Sequence, residues 1–501
     1  MLAQHRTLLR RLMPVLVVAV ATWTYVTCGF GGAFPRDDSL YALCAQRVAD
    51  GYVPYQQVFD VTGPFGSMDS AVGILAARQA GLPDYRGVQV QGIVTSVLTV
   101  LAVYLLAQAL TGSVLAGGLA AAAFLGFAGF IDQAATGHPK LLVTLAVTVA
   151  VLCMVSKRWL LAGIFVAVAA LTWQVVALVG VAGLVAIYGG AEKRGRATLA
   201  LVGGGVAVVA AVVGWFALHG SVGTLWEGAV LSLVYVGDRA AHLPFTWHFW
   251  RPLRYSFGSY NSSVTVGWLG LIGIGAVFVE QMRTEGGPWK ALVGSRWASF
   301  FCAFTLLTAF TVYDFQSPDD AFVLLPFLAV GLSYILIRAI DALTGPETLI
   351  RPRWRPIAAG LVAVALLMPT VMKVKFHPAE GLAEQRQAVD QIIARLGDGR
   401  IQCINTPGVL MLGELENATR HVVVGQGILS FIDAHEPGGV AGWIESIEDA
   451  DVELVVENTR NSGRLPMIHQ WIEANYRFWR EYGDWAVYER PNVPSPDSAP
   501  N

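Results

Sequence analysis

The chain has 501 residues, of which 54% are hydrophobic and only 14% are charged, and its mean hydropathy is +0.53. One soluble core does not need so many apolar residues, so the composition excludes an ordinary soluble domain and indicates a polytopic membrane protein. A formal net charge of −2, without a basic face of the kind that phosphate backbones require, gives no reason to expect nucleic acid as a partner.

Eleven segments are apolar over about the length that a spanning helix needs, which is roughly 20 residues. The first has a long apolar run that does not end in a clean cleavage site, so it predicts a retained anchor and not a removed signal peptide. The fifth and sixth segments are short. The predicted transmembrane helices lie near residues 14–33, 88–110, 114–131, 141–156, 159–171, 173–189, 198–218, 264–282, 298–313, 321–340 and 357–373.

Lys and Arg residues predict the orientation of these helices, because cytoplasmic loops hold an excess of them. With the N-terminus inside, the cytoplasmic clusters are Arg6, Arg10 and Arg11; Lys157 and Arg158; Lys193, Arg194 and Arg196; Arg283, Lys290 and Arg296; and Arg338, Arg351, Arg353 and Arg355. The longer loops at 34–87 and 219–263, and everything after about residue 374, then lie outside. The sequence therefore predicts a multi-pass protein of the cell (inner or plasma) membrane, in contact with membrane lipid, with an extracytoplasmic C-terminal domain.

The first outer loop, residues 34–87, contains two amphipathic segments, "DDSLYALCAQRVADG" and "SMDSAVGILAARQAG". Both have apolar residues at helical spacing and end at a glycine, which predicts two helices lying along the membrane interface. The apolar stripe of the first consists of Leu40, Tyr41, Cys44 and Val48, and that of the second consists of Met68, Val72, Leu75 and Ala76.

The run "RDDSLYALCAQRVADGYVPYQQVFDVTGPF" resembles the first periplasmic loop of the GT-C superfamily of integral-membrane glycosyltransferases, in particular its bacterial branch similar to protein O-mannosyltransferases and lipid A aminoarabinose transferases. The matching residues are Asp37, Asp38, Tyr41, Ala45, Gly51, Pro54, Tyr55, Asp60, Gly63 and Pro64. The segment "AGIFVAVAALTWQVVAL" is similar to the paired short helices of that family, and "DDAFVLLPFLAVG" to its span with a mid-helix proline, here Pro326. The resemblance implies an all-α polytopic membrane domain of GT-C type over residues 1–374.

Two departures from the family pattern concern the phosphate of the donor. Asp319 and Asp320 stand where related sequences often have a basic residue or His, before the Pro-containing span. Trp173 and Gln174 stand where a Lys is common after the fifth span. The phosphate contact expected at these places is therefore left open.

Enzymes of this family take a sugar from a polyprenyl-phosphate carrier and attach it to an acceptor hydroxyl on the outer face. The resemblance implies hexosyl or pentosyl transfer to a glycan, lipid or protein acceptor, with Asp37 as general base and Asp38 as its helper. A carboxylate near low-dielectric surroundings has a raised pKa that suits a base. The alternative is that the acidic pair caps the following helix and stabilises its N-terminal dipole. Asp60 either binds the acceptor or caps the turn "VTGPFG".

The leaving phosphate is negatively charged, so cationic groups on the outer face should stabilise it. Candidates are His138 and Lys140 in "ATGHPKLL", and Arg239, Arg251 and Arg254 in the second long loop. The predicted substrate-binding residues are Tyr55, Asp60, His138, Lys140, Arg251 and Arg254. The many aromatic residues of the second loop suit a sugar platform, a prenyl chain or a membrane-interface belt.

No cofactor is expected, and because the leaving phosphate is a monoester the sequence predicts no obligatory metal. The five cysteines show no metal-ligand spacing. Three of them lie in or next to apolar spans, where a cysteine packs like a small hydrophobic residue.

After the last span, residues 375–490 predict a small extracytoplasmic α/β domain. An amphipathic helix in "EGLAEQRQAVDQIIARLGDG" precedes strands in "RIQCINT", "HVVVG" and "VELVVEN" that alternate with helical pieces, and "MIHQWIEANYRFWREYG" and "DWAVYER" follow. The domain lacks a nucleophile elbow, a phosphate loop and a metal cluster in its sequence, so it is interpreted as an acceptor-recognition or partner-docking domain. The tail, residues 491–501, is predicted to be disordered.

A transporter and a non-catalytic cell-envelope assembly protein are the alternative functions. Transporters tend to have ionisable residues within their spans and two related halves, whereas these spans are nearly free of charge and the acids gather in outer loops. The assembly function would make the C-terminal domain the functional part.

Overall fold

The computed structural model describes residues 2–190, 193–236, 261–344, 354–376, 381–462 and 465–491. The chain forms two compact units. The helical unit consists of residues 1–30, 90–214 and 243–379, and the α/β unit consists of residues 31–89, 215–242 and 380–501.

Helices account for most of the structure. Up to residue 236 they are α1 Leu2–Gly29, α2 Arg36–Ala49, α3 Pro64–Gln79, α4 Asp84–Thr111, α5 Val114–Phe124, α6 Ala128–Gln133, α7 Pro139–Val155, α8 Trp159–Ala170, α9 Val179–Gly190, α10 Arg194–Leu218, α11 Val222–Trp226 and α12 Ser232–Val236. From residue 261 they are α13 Asn261–Glu285, α14 Pro288–Val293, α15 Ala298–Tyr313, α16 Leu325–Leu343, α17 Arg355–Phe376, α18 Leu382–Leu396, α19 Pro407–Gly413, α20 Gln426–His435, α21 Gly439–Asp449, α22 Thr459–Ser462 and α23 Pro466–Asn475. Two 3₁₀ helices, Gln174–Leu178 and Pro318–Leu324, and one π-helical turn, Glu227–Leu231, adjoin them.

Five helical stretches in the described residues are long and apolar enough to cross a membrane: Arg11–Gly29, Asp84–Thr111, Arg194–Leu218, Thr265–Glu285 and Pro318–Leu343. Seven further apolar helices are shorter: Val114–Phe124, Pro139–Val155, Trp159–Ala170, Gln174–Gly190, Val222–Tyr235, Ala298–Tyr313 and Arg355–Met368. Each of the eleven predicted spans overlaps a helix. Because only five helices reach spanning length, the count of eleven crossings is not confirmed.

Glycines allow two long helices of the helical unit to approach closely. A Cβ atom added to Gly273 on α13 would overlap the backbone of Gly331 on α16, and one added to Gly331 would overlap the carbonyl oxygen of Gly270. Small residues permit such contacts between membrane helices. Gly270 and Gly273 of the segment "GLIGIGAV" therefore pack directly against α16.

The proline of the late span lies elsewhere than predicted. The 3₁₀ helix Pro318–Leu324 precedes α16, and Pro326 occupies the first turn of α16. Proline is tolerated there because the first-turn N–H groups have no intrahelical partner. The prediction of a mid-helix position for Pro326 is wrong.

A four-stranded sheet forms the centre of the C-terminal part of the α/β unit. Its strands are β1 Arg400–Ile404, β2 Val452–Asn458, β3 Arg477–Tyr482 and β4 Trp485–Glu489. The order is β1-β2-β4-β3, with β1 parallel to β2 and the other pairs antiparallel. The predicted α/β character of this region is thus present. Gly483, at φ 57°, and Asp484 form a two-residue turn between β3 and β4, since Tyr482 pairs with Trp485.

The segment "HVVVG", residues 421–425, is not a strand, contrary to the prediction. Asn405 follows β1 and binds this segment with its side chain. Its Oδ1 accepts a hydrogen bond from the backbone N–H of Val424, and its Nδ2 donates to the Val424 carbonyl, both at 2.9 Å. The backbone N–H of Asn405 also donates to the Val422 carbonyl at 2.7 Å. Because Asn405 satisfies these groups, Val422 and Val424 are buried without a strand ladder.

The helix α2 is buried on more faces than its predicted stripe. Besides Leu40 and Cys44, it buries residues outside the stripe: Asp38, Ser39, Ala42, Leu43, Ala45, Gln46 and Arg47. Helix α3 does not bury its predicted stripe. Val72 and Leu75 of the stripe are exposed, while Ile74, outside it, is buried.

Candidate active site

The acidic pair lies in the first turn of α2. Pro35 is the N-cap residue and forms no side-chain cap hydrogen bond. The prediction of an acidic N-cap residue is therefore wrong, whereas both carboxylates do lie in the first turn, where the helix dipole favours negative charge.

The two carboxyl groups of the pair differ in accessibility. The Asp37 side chain is 56% exposed and accepts a 2.8 Å hydrogen bond from Nε of Arg36. Asp38 is buried. Asp37 is thus the accessible member of the pair.

Asp60 is buried in the loop between α2 and α3 and binds its own turn. Its Oδ1 accepts hydrogen bonds from the backbone N–H groups of Val61 at 2.7 Å and Thr62 at 3.2 Å, and its Oδ2 accepts one from the Thr62 hydroxyl. Burial raises the pKa of Asp60 above its ordinary value, and the negative charge of Asp37 raises it further. The structure thus contains the turn-capping role of Asp60, within electrostatic reach of Asp37.

Tyr55 has a strained backbone next to Asp60. Its φ is 74°, in the left-handed region that a bulky side chain rarely adopts. The phenol donates a 2.7 Å hydrogen bond to the Thr62 carbonyl, so the tyrosine and Asp60 bind the same threonine. Gly228 lies against the ring, because a Cβ added there would come within 2.6 Å of Cε1 of Tyr55. Tyr55 is therefore fixed from both sides.

Residues of the C-terminal part of the α/β unit contact Phe59, which precedes Asp60 in the loop between α2 and α3. The Phe59 N–H donates a 2.8 Å hydrogen bond to the Arg420 carbonyl. The Phe59 ring stacks on Phe431 at 4.7 Å between centroids and contacts His421 at 5.2 Å. Since Phe59 adjoins Asp60, these contacts fix the position from which the Asp60 side chain departs.

A polar network stabilises these contacts. Nε and Nη2 of Arg420 donate to Glu436 at 3.0 and 2.8 Å, and Nη1 donates to Glu227 at 3.2 Å. Burial lowers the pKa of His421 below its ordinary value, so the ring is neutral and its Nε2–H donates to Glu436 at 2.7 Å. No sequence pattern predicted a role for Phe59, Arg420, His421 or Glu436. The contacts of Phe59 with Arg420 and His421 join segments that are far apart in the chain, and no local pattern indicates them.

His138 and Lys140 belong to the helical unit, at the start of α7. The Lys140 ammonium pairs with the buried Asp320 carboxylate and lies 4.5 Å from the centroid of the Trp173 ring. Asp320 is itself held by the backbone N–H groups of Gln316 and Ser317. A cation therefore lies beside Trp173, where the family pattern expects a Lys, but it comes from Lys140.

His138 is neutral. Burial lowers its pKa to about 3, and its Nδ1 accepts a hydrogen bond from the Lys140 N–H at 3.1 Å. The Nε2–H lies 3.7 Å from an oxygen of Asp319. Of the two predicted phosphate ligands in this loop, only Lys140 carries a positive charge.

Arg239, Arg251 and Arg254 lie outside the described residues. Within the described part of the chain, no group of three or more His, Cys, Asp or Glu residues could hold a metal ion.

Comparisons by sequence and by structure give different results. No family model and no curated protein matches the sequence. The apo structure of ArnT from Cupriavidus metallidurans matches with a TM-score of 0.62 at 13% identity, covering 95% of this chain and 97% of ArnT. The structure of the same protein bound to undecaprenyl phosphate matches with a TM-score of 0.59 at 14% identity, with the same coverage. The protein has a GT-C fold.

A third match extends this fold to oligosaccharyltransferases. The archaeal oligosaccharyltransferase AglB from Archaeoglobus fulgidus, in complex with an inhibitory peptide and a dolichol-phosphate, matches with a TM-score of 0.53 at 12% identity. The match covers 97% of this chain and 75% of AglB. The GT-C resemblance of the first outer loop is thus confirmed at the level of the fold.

Proposed function

We propose that this protein is a membrane glycosyltransferase that transfers a sugar, a hexose or a pentose, from a polyprenyl-phosphate-linked donor to an acceptor hydroxyl on the extracytoplasmic face. The observation that carries the proposal is an accessible carboxylate, Asp37, at the first turn of α2 in a chain with a GT-C fold. The ArnT structure bound to undecaprenyl phosphate supports a lipid-phosphate donor.

In this mechanism Asp37 is the general base. As the acceptor oxygen attacks the anomeric carbon, a new C–O bond forms, the bond between that carbon and the donor phosphate oxygen breaks, and the hydroxyl proton passes to Asp37. The phosphate leaves on its lipid. Arg36 holds the Asp37 carboxylate through its 2.8 Å hydrogen bond, and the buried Asp38 is assigned to positioning this first turn. Tyr55 and Asp60 form the proposed acceptor side of the site.

Lys140, Arg251 and Arg254 are the proposed ligands of the donor phosphate. The Lys140 charge is held by Asp320 and Trp173, so the ammonium is already oriented before a phosphate arrives, and binding loses little side-chain freedom. The neutral His138 can contribute only an N–H donor.

The test is sugar transfer from a panel of polyprenyl-phosphate sugars by purified Asp37→Asn, Asp38→Asn and wild-type protein. Asn keeps the size of Asp but accepts no proton, so Asp37→Asn should lose about 10²–10⁴-fold in turnover while folding normally. Asp390→Asn, an exposed residue on α18, is the matched control. Near-normal turnover of Asp37→Asn would show that the base is another group. In the same assay, Arg251→Ala and Arg254→Ala should weaken donor use more than acceptor use.

A further inference from the structure

A groove lies in the α/β unit between α18 and the β3–β4 turn. Its volume is about 570 Å³, within the range of small-molecule sites. It is lined by Ala33, Gly381, Glu384, Gln385, Gln387, Ala388, Gln391, Arg480, Glu481, Tyr482, Gly483, Asp484 and Trp485.

The polar groups of the groove are partly held and partly available. Oε1 of Gln391 accepts hydrogen bonds from Nη1 of Arg480 at 3.1 Å and from the Tyr482 hydroxyl at 2.9 Å, which leaves its NH₂ donors for another partner. Gln387 and Glu384 lie on the same helix, line the groove and are both exposed. Amide donors, amide acceptors and carboxylate acceptors therefore stand together along one wall.

Two aromatic rings form part of the opposite wall. Tyr482 and Trp485 flank the β3–β4 turn, and both are half-buried. The Trp485 ring is fixed from behind, because a Cβ added to Gly408 would lie 3.1 Å from its Cζ2. Such rings present an apolar face beside a polar edge, which matches the C–H face of a sugar.

The charge of the groove restricts its ligand. Its lining contains the carboxylates of Glu384, Glu481 and Asp484 and the guanidinium of Arg480. Asp484 is paired with Arg460 at 2.8 Å, so Glu384 and Glu481 set the negative charge of the groove. An anionic ligand such as a sulfated glycan or a lipid phosphate would be repelled. A ligand that carries many hydroxyl groups would be accepted, because each hydroxyl both donates and accepts hydrogen bonds.

We propose that this groove binds an oligosaccharide that is neutral or carries amino groups, and that this oligosaccharide is part of the acceptor. The second half of the proposal rests on the proposed transferase function and names its acceptor class as a glycan. The groove contains both requirements of sugar recognition, a wall of mixed amide and carboxylate groups and a pair of fixed aromatic rings.

The experiment is glycan-array binding by the full chain in lipid nanodiscs, with neutral, amino-containing and sulfated oligosaccharides and a matched peptide array. Wild type should bind neutral or amino-containing glycans and neither sulfated glycans nor peptides. Gln387→Trp, which fills the groove from an exposed position, should bind at least about tenfold more weakly, since it removes the hydrogen bonds of the amide and occupies the space of the ligand. Asp390→Ala, exposed on the same helix but outside the groove, should bind like wild type.

Three results would each overturn the proposal that the groove binds a glycan. They are absence of glycan binding by wild type, preference for sulfated glycans or for peptides, and unchanged binding by Gln387→Trp. Asp37→Asn separates this outcome from failure of the transferase function, because it should bind glycans like wild type while losing transfer. Groove-dependent glycan binding by a wild type without transferase activity would remove the proposed function and leave a glycan-binding protein. Transfer that Gln387→Trp leaves unchanged, with every acceptor, would show that the groove does not hold the acceptor.

Discussion

Thr62 links two unusual residues of the candidate site. Its carbonyl accepts the hydrogen bond of the Tyr55 phenol, and its N–H and hydroxyl donate to Asp60. A non-glycine residue at positive φ costs roughly 1–3 kcal/mol and persists only where its surroundings hold it. A change in the position of Tyr55 should therefore be transmitted through Thr62 to the Asp60 carboxylate.

Gly228→Ala should disturb this arrangement from the π-helical side. The new Cβ would overlap the Tyr55 ring, and overpacking of this kind costs about 1–3 kcal/mol. Gly223→Ala is the control, because it lies in the adjacent helix α11 with no atom within 4 Å of its added Cβ, and alanine there should stabilise by about 0.5–1 kcal/mol. Thermal unfolding of the purified variants measures both effects. Equal melting temperatures of the two variants would contradict the tight contact between Gly228 and the Tyr55 ring.

Asp60→Asn should remove a pH dependence of stability. Burial raises the folded-state pKa of Asp60, so its stabilising contribution is fully present below the ordinary Asp pKa and is lost as pH rises through the raised value. Asn has no charge to bury and can still accept from the Val61 and Thr62 N–H groups. Thermal unfolding from about pH 4 to about pH 8 should therefore show Asp60→Asn gaining on wild type as pH rises. A constant difference between the two would mean that the carboxylate is not penalised by its burial.

At the scale of elements, the distance between helices α13 and α16 depends on the absence of a Cβ atom at their glycines. Gly273→Ala introduces a Cβ that would overlap the Gly331 backbone on the neighbouring helix, so the helices must separate, and the loss should be about 1–3 kcal/mol. Gly275→Ala lies on the same helix with no atom within 4 Å and should be neutral or slightly stabilising. Thermal unfolding in one detergent compares them. If both variants melted like wild type, the contact between these helices would not limit stability.

Local patterns account for the helices, and distant contacts account for what the sequence analysis missed. Long apolar runs predicted α1, α4 and α10, because a helix that crosses a membrane needs roughly 20 consecutive and mostly apolar residues. The pairing of Phe59 with Arg420, in contrast, depends on segments that are neighbours only after folding. The undivided segment "MIHQWIEANYRFWREYG" separates into α23 and β3, because β4 pairs with its second half across the Gly483 turn.

Local patterns predicted part of the candidate site as well. The family string led to Asp37, Asp60 and Tyr55. The structure places all three in the α/β unit, Asp37 in the first turn of α2 and the other two in the loop between α2 and α3. The family string could not reveal that Asp37 is exposed while Asp38 is buried, since both follow the N-cap in the same turn. Nor does a sequence indicate that burial makes His138 neutral.

At the scale of the whole molecule, the composition of the α/β unit constrains topology. Residues 31–89, 215–242 and 380–501 form one compact unit, so in a membrane protein these three segments must lie on the same side. Two of the five long apolar helices separate the first segment from the second, and two separate the second from the third. The eleven-span prediction separates them by six and four. Both counts are even, and an even number of crossings returns the chain to the side from which it started.

The last prediction concerns the side of the membrane on which the α/β unit lies. One apolar helix, Arg11–Gly29, precedes the α/β unit, so the unit lies opposite the N-terminus, and the basic residues of the N-terminal stretch predict that this terminus is cytoplasmic. A phosphatase reporter that is active only outside the cytoplasm should therefore be active when inserted after Gly51 or fused after Arg490, and inactive after Glu285. A fluorescent reporter that matures only in the cytoplasm should give the opposite pattern at the same positions.

Phosphatase activity after Gly51 combined with cytoplasmic fluorescence after Arg490 would mean that the two segments lie on different sides of the membrane. That result would contradict both the even number of crossings between the segments and the α/β unit itself. Cytoplasmic signals at both positions would keep the unit and reverse the orientation, and the proposed extracytoplasmic transfer would then be wrong.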